Sequence, residues 1–169
     1  MSTWSPQAPH ALAADGVGNV YVADTMNHRI RKVVAATGET TTVAGSGAES
    51  FANGVGTNAA FRFPYAIATA ARGNGTLLYV ADASNYCVRR IETATWNVTT
   101  LAGRCAADPQ GSRHVDATGT DARFNVPFGI AVDANGANVF VSDTYNDVLR
   151  KVLPRARDDF RTVIYSTQQ

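Results

Sequence analysis

Apolar and polar residues alternate along this chain in short runs broken by turn residues, and no segment sustains the 3.6-residue apolar period of an amphipathic helix. Helices are therefore not expected. The runs fall into a repeat. Val20-Tyr21-Val22-Ala23-Asp24-Thr25-Met26-Asn27 recurs as Leu78-Tyr79-Val80-Ala81-Asp82-Ala83-Ser84-Asn85 and as Val139-Phe140-Val141-Ser142-Asp143-Thr144-Tyr145-Asn146. Four residues after each Asn stands a basic pair, Arg31-Lys32, Arg89-Arg90 or Arg150-Lys151, followed by a β-branched residue. Thr41-Thr42-Val43-Ala44-Gly45 matches Thr99-Thr100-Leu101-Ala102-Gly103, with an echo in Arg161-Thr162-Val163-Ile164-Tyr165. Upstream, Pro9-His10-Ala11-Leu12-Ala13 matches Pro64-Tyr65-Ala66-Ile67-Ala68 and Pro127-Phe128-Gly129-Ile130-Ala131.

Each unit predicts four short antiparallel strands. The first follows the proline, which starts a strand without removing a ladder donor. A Gly-, Asn- or Asp-rich turn leads to the Val-Tyr-Val strand, the Asp-x-x-Asn turn reverses it, and the Thr-Thr-Val strand closes the unit. A four-stranded unit recurring every 60 residues or so is the signature of a propeller blade with its connector. The expected organisation is a single all-β propeller segment spanning 1–169, with blades at approximately 9–45, 63–103 and 126–165 and connectors at 46–62 and 104–125. The connectors share a phrase: Asn53-Gly54-x-Gly56-x-x-Ala59-x-Phe61-x-x-Pro64 against Asp116-x-x-Gly119-x-x-Ala122-x-Phe124-x-x-Pro127. Each delivers a Phe three residues before the proline, placed to seal one blade against the next.

Composition agrees with this and narrows the chemistry. Charged residues are 17% of 169, and the net charge is +1, which gives no broad field for a polyanion or an anionic membrane. Two cysteines, Cys87 and Cys105, are too few for a disulfide framework and lack metal-ligand spacing, so their pairing and the redox compartment stay open. No basic-then-apolar stretch opens the chain and no run of about 18 apolar residues occurs, so neither a signal peptide nor a membrane-spanning helix is expected. Asn74-Gly75-Thr76 and Asn97-Val98-Thr99 fit the N-glycosylation pattern, which is too short to locate the protein.

The connector phrase, the hairpin Tyr21-Val22-Ala23-Asp24-Thr25-Met26-Asn27-His28-Arg29-Ile30-Arg31 and the strand Val98-Thr99-Thr100-Leu101-Ala102-Gly103 resemble the NHL repeat. The resemblance covers roughly residues 9 to 165. The first copy departs from it with His10 in place of an aromatic, the third by losing the terminal Ala-Gly. It implies a closed propeller, usually six-bladed, presenting loops to a protein, ligand or RNA; some relatives in the wider group are metal-dependent lyases or lactonases. Three blades are half of such a ring. An open arc exposes apolar blade faces at both ends, so either further blades or a second copy, in a homodimer, is expected to close it.

Asp24, Asp82 and Asp143 occupy one position in successive units, as do Asn27, Asn85 and Asn146, and Arg31, Arg89 and Arg150. Residues repeated in every blade maintain the blade, so these are read as structural, the Asp capping the following turn and pairing with the Arg. Gly54-Val55-Gly56-Thr57-Asn58-Ala59 fits a dinucleotide fingerprint by letters, but no helix follows it. Asp133-Ala134-Asn135-Gly136 begins like a calcium loop and lacks the closing Glu, so it is a hairpin turn. No catalytic set, metal set or cofactor is expected: the non-repeated acids and histidines are few, and neither a Gly-x-Ser-x-Gly elbow nor a Cys with a His partner occurs. His10, which replaces Tyr65 and Phe128, is read as packing.

Recognition is better sought where blades differ. The loop between the second and third strands offers Met26 and His28, Ser84 and Tyr86, then Tyr145 and Asp147, and the connectors add Arg104, Arg113, His114 and Asp116. These are the candidate binding residues, for a protein or peptide. Half of a metal-dependent propeller lyase or lactonase is a second reading and an RNA-binding propeller a third. Against the third stand the neutral charge and the alternation of strand side chains, which splits each basic pair between two faces. Nucleic acid is not the expected partner.

Overall fold

Alternating apolar residues pair into three antiparallel sheets in the computed structural model, which describes residues 8–72, 75–106, 115–133, 136–153 and 166–167. The first sheet runs β1 (Ala11–Ala14), β2 (Asn19–Asp24), β3 (Arg29–Val34) and β4 (Thr40–Ala44), in that order. After a two-residue strand β5 (Gly54–Val55) in the connector come β6 (Pro64–Arg72), β7 (Gly75–Asp82), β8 (Cys87–Glu92) and β9 (Asn97–Ala102); β5 adds to the β9 edge, making the second sheet five-stranded. The third sheet is β10 (Pro127–Val132), β11 (Val139–Asp143), β12 (Val148–Val152) and β13 (Ser166–Thr167). Among the described residues there is no α-helix; the only helical turns are short 3-10 turns. The expected fourth strand of the third unit, at 161–165, lies outside the described residues, and β13 pairs with β12 just beyond it.

Strand alternation sends odd and even residues of each sheet to opposite neighbours. Tyr21, Ala23 and Ile30 of the first sheet meet Ile67, Leu78, Val80 and Ile91 of the second in one apolar cluster, with Phe61 from the connector inside it. Tyr79, Val88 and Leu101 point the other way and meet Val139, Val141 and Val152 of the third sheet, with Phe124 in the matching place. Phe61 and Phe124 are 0% and 1% exposed. Sealing one such ring from water contributes about 2 kcal/mol.

Two glycines explain the recurring Ala-Gly at the end of the fourth strand. Gly45 and Gly103 have φ of +96° and +92°, and a Cβ there would stand 2.5 Å from the His28 carbonyl oxygen or 2.8 Å from that of Tyr86. Only a residue without a side chain lets the strand end pass so close to the neighbouring turn.

The hairpin ends are held by side chains. Asp15 accepts hydrogen bonds from the Val17 and Asn19 amides, the Asn19 side chain and the Tyr21 hydroxyl. Burial works against its charge, but those hydrogen bonds prevail and hold the carboxyl below its usual range. The Tyr21 hydroxyl, desolvated beside that carboxylate, is pushed up to about 12. Asp133 likewise accepts from the Ala137 and Asn138 amides and the Asn138 side chain, so its oxygens are spent on the turn.

Candidate functional site

The repeated polar residues form one construction in three versions. In the second sheet Arg89 Nη1 donates to Asp82 Oδ2 at 2.8 Å, with both side chains 0% exposed. Asn85 also donates to Asp82, and the Arg62 amide caps its other oxygen. Arg89 then reaches into the incoming connector, donating to the carbonyls of Ala52 and Ala60 and to the Asn53 side chain. Its guanidinium carbon lies 4.7 Å from the centroid of the Phe51 ring and 5.2 Å from that of Phe61, and its Nε is buried and makes no hydrogen bond among the described residues. Burial raises the Asp82 carboxyl and lowers the Arg89 guanidinium, and the opposite charge of each partner counters both shifts.

The third sheet repeats this. Arg150 pairs with Asp143 at 2.8 Å and donates to the carbonyls of Arg123 and Val115. It also pairs with Asp116 at 2.7 Å, so Asp116 serves the frame through this ion pair. In the first sheet Arg31 pairs with Asp24 through Nε at 2.8 Å and donates to Thr42, but it is 15% exposed. Asn27 and Asn146 donate to Asp24 and Asp143 as Asn85 does to Asp82.

The loop face is built on the 3-10 turns Thr25–Asn27, Ala83–Asn85 and Thr144–Asn146. Each ends in a left-handed residue, His28, Tyr86 or Asp147, with φ between +54° and +59°. Met26 and Tyr145, at one position of this turn, are 47% and 65% exposed, and Asp147 is also exposed. Tyr86 is half-buried and Arg104 exposed. Arg113 and His114 lie outside the described residues.

His28, expected at the loop face as a recognition residue, is turned inward. It is 8% exposed, its Nδ1 accepts the Phe63 amide at 3.2 Å, and its ring meets Phe63 edge-on at 4.7 Å. The turn folds this side chain back onto the connector. Burial, with Arg62 and Arg29 nearby, keeps its pKa below the usual value, against the pull of Glu49.

A row of rings joins the loop face to the first strands. His10, Tyr65 and Phe128 stand one residue after the proline in each sheet; their rings meet edge-on at 4.6 and 4.4 Å, and Phe128 meets Tyr145 at 6.2 Å. The shared post-proline position was visible in the sequence. That the three side chains form one continuous row needed the sheets' stacking.

Cys87 and Cys105 are joined by a disulfide, tying the start of β8 to the second connector. Among the described residues no three His, Cys, Asp or Glu side chains gather as a metal site requires.

No family model matches the chain. It is 30% identical over 148 residues to NHL repeat-containing protein 2 of Bos taurus, which covers 83% of this chain and 20% of that protein. Over 137 residues it is 31% identical to the chloroplastic protein Suppressor of quenching 1 of Arabidopsis thaliana, covering 79% of this chain and 12% of the relative. The chain thus spans a fifth or less of these relatives. Among solved structures, an auxiliary nutrient binding protein from Bacteroides thetaiotaomicron superposes with a TM-score of 0.69 at 23% identity, covering 93% of this chain and 37% of that one. A virginiamycin B lyase from Staphylococcus aureus gives 0.61 at 11%, covering 99% and 44%. At these identities the structural likeness concerns the fold.

Proposed function

This chain belongs to the NHL-repeat β-propeller family, and from that premise we propose that it is a recognition scaffold without catalytic activity, whose loop face binds a protein or peptide. The observation that carries this reading is the row His10, Tyr65, Phe128 and Tyr145, which runs across all three sheets and ends in a tyrosine 65% exposed. Rigid aromatic side chains give large contact area at small entropic cost, and rings already held by neighbouring rings lose less freedom still. Met26 occupies the corresponding exposed place in the turn of the first sheet.

Assembly into a ring is part of the proposal. Leu149 is 48% exposed although its counterparts Ile30 and Val88 are fully buried, and Leu12 is 69% exposed against 5% for Ile67. The outer faces of the third and first sheets are therefore the two halves of the junction made twice inside the chain. Further blades or a second copy would join them.

The test is selection from a displayed random peptide library on the purified chain. Enriched peptides that bind the native protein and lose binding to the folded Met26→Ala/Tyr145→Ala variant support the reading. Failure to enrich any, or full retention by the variant, overturns it. Elemental analysis for bound metal separates this from a lyase or lactonase reading. Salt-sensitive shifts with random oligonucleotides would mark the RNA reading.

A further inference from the structure

At the end of the second sheet away from the loop face, a tight hairpin joins β8 to β9. The Trp96 amide donates to the Glu92 carbonyl at 2.7 Å, Trp96 takes a left-handed φ of +57°, and the Asn97 amide donates to Thr95 Oγ1 at 3.3 Å. Asn97 opens β9 and begins the phrase Asn97-Val98-Thr99. The register sets it directly between Glu92 of β8 and Val55 of β5, so the three side chains share one face. That face is open at this corner: the Glu92 side chain is 37% exposed, Val55 is 54% exposed, and the first repeat places the exposed Glu39 where Asn97 stands. Among the described residues nothing hydrogen-bonds to the Asn97 side chain. Two features of the corner do nothing for the fold. Val55 leaves an apolar side chain in water, and the Thr99 hydroxyl, which alternation puts on the face of Asn97, is buried with no hydrogen-bond partner among the described residues. A buried unpaired hydroxyl costs about 1–3 kcal/mol, so valine would serve the strand better.

We propose that Asn97 is an acceptor for an N-linked glycan whose first sugar lies over Val55. Transfer of such a glycan precedes folding and requires a hydroxyl two residues after the Asn, which gives Thr99 its use: the hydroxyl is read on the extended chain and enclosed afterwards. Asn97 Nδ2 bonds to the anomeric carbon of a lipid-pyrophosphate-linked oligosaccharide. The bond from that carbon to the pyrophosphate oxygen breaks, its electron pair leaves with the lipid pyrophosphate, and Nδ2 gives up one proton. The Cys87–Cys105 disulfide, with Cys87 fully buried, fits a chain that folds in an oxidising compartment, where this transfer takes place. In the folded sheet the Asn97 amide stands beside Val55, and a sugar there removes an apolar side chain from water. Asn97 and the turn Ala83–Asn85 lie at opposite ends of β8, so the glycan leaves the loop face clear. The site stands whether or not that face binds peptide.

The test is translation of the whole chain behind a secretory leader in the presence of microsomes, with Asn74→Gln throughout so that Asn74-Gly75-Thr76 contributes nothing. A gain in mass that peptide N-glycosidase removes is expected. Asn97→Gln and Thr99→Val should each abolish it, and Thr99→Ser should keep it. No gain, or a gain that survives Asn97→Gln, overturns the proposal, and because transfer precedes folding the result does not depend on a variant's stability. Thr99→Val made without the leader should unfold at no lower temperature than the unaltered chain, since its hydroxyl has no partner; a clear loss of stability would give Thr99 a structural role and overturn the use assigned to it. Hydroxyl-radical footprinting of the secreted glycoprotein places the sugar. Val55 should be oxidised more slowly while the glycan is present and faster once peptide N-glycosidase has removed it, and equal rates overturn its position over Val55.

Discussion

Cys105 is bonded to Cys87 at the place where, one repeat earlier, Gly47 lies against Arg29. Arg29 holds the first connector by donating to the Ser46 carbonyl at 3.0 Å, and in the second repeat a covalent bond takes over that duty. Both fasten the chain as it leaves the fourth strand, so the disulfide strengthens an anchor that the repeat already has.

Reduction should therefore loosen the second connector before it unfolds the sheets. A cross-link of this span stabilises by about 3 kcal/mol in the chain-entropy account. Urea denaturation with and without reductant should show a loss of that order, and hydrogen exchange under mild reduction should rise first at 103–106. Uniform acceleration across all three sheets would contradict a local anchor.

Arg89→Met leaves the Asp82 carboxylate buried without a counter-charge and opens the connector. The expected cost is about 3–5 kcal/mol, as for other half-broken buried pairs. Arg31→Met, where the guanidinium is already 15% exposed, should cost no more than about 1–2 kcal/mol. Equal losses in thermal or denaturant unfolding would show that the connector adds nothing to the Arg89 site.

His28 should make the junction of the first two sheets sensitive to acid. Its folded pKa lies below the unfolded one because the ring is buried and Nδ1 accepts the Phe63 amide. Above about pH 6.5 the ring is neutral in both states and the contribution is complete; it is lost as pH falls through the folded value, since the unfolded chain takes up the proton first. Stability measured from pH 7.5 to 5 should decline, and His28→Gln should flatten that slope. An unchanged slope would remove His28 as its source.

The open faces predict self-association. Light scattering on the isolated chain should give a mass near twice 17.9 kDa, and Leu12→Glu or Leu149→Glu should each return it to the monomer, since each places a charge in the same junction. A mass of 17.9 kDa at all concentrations would show that these faces do not join two copies.

The repeat determined much of this by itself. The all-β class follows from short alternating runs, and the sealing role of Phe61 and Phe124 from their fixed distance to the proline. The structural standing of Asp82 and Arg89 could be argued from their recurrence, because a position the frame needs appears in every copy. Tertiary structure decided what depends on neighbours in space. A single letter at position 28 does not say that the turn ends in a left-handed residue whose side chain folds back onto Phe63. No spacing rule reveals that Cys87 faces the connector, or that the rings after three prolines align. The three Asp–Arg pairs are nearly identical as text. Only the stacking of the sheets shows that two are closed by a connector while Arg31 is left partly in solvent, because burial is a property of what lies alongside.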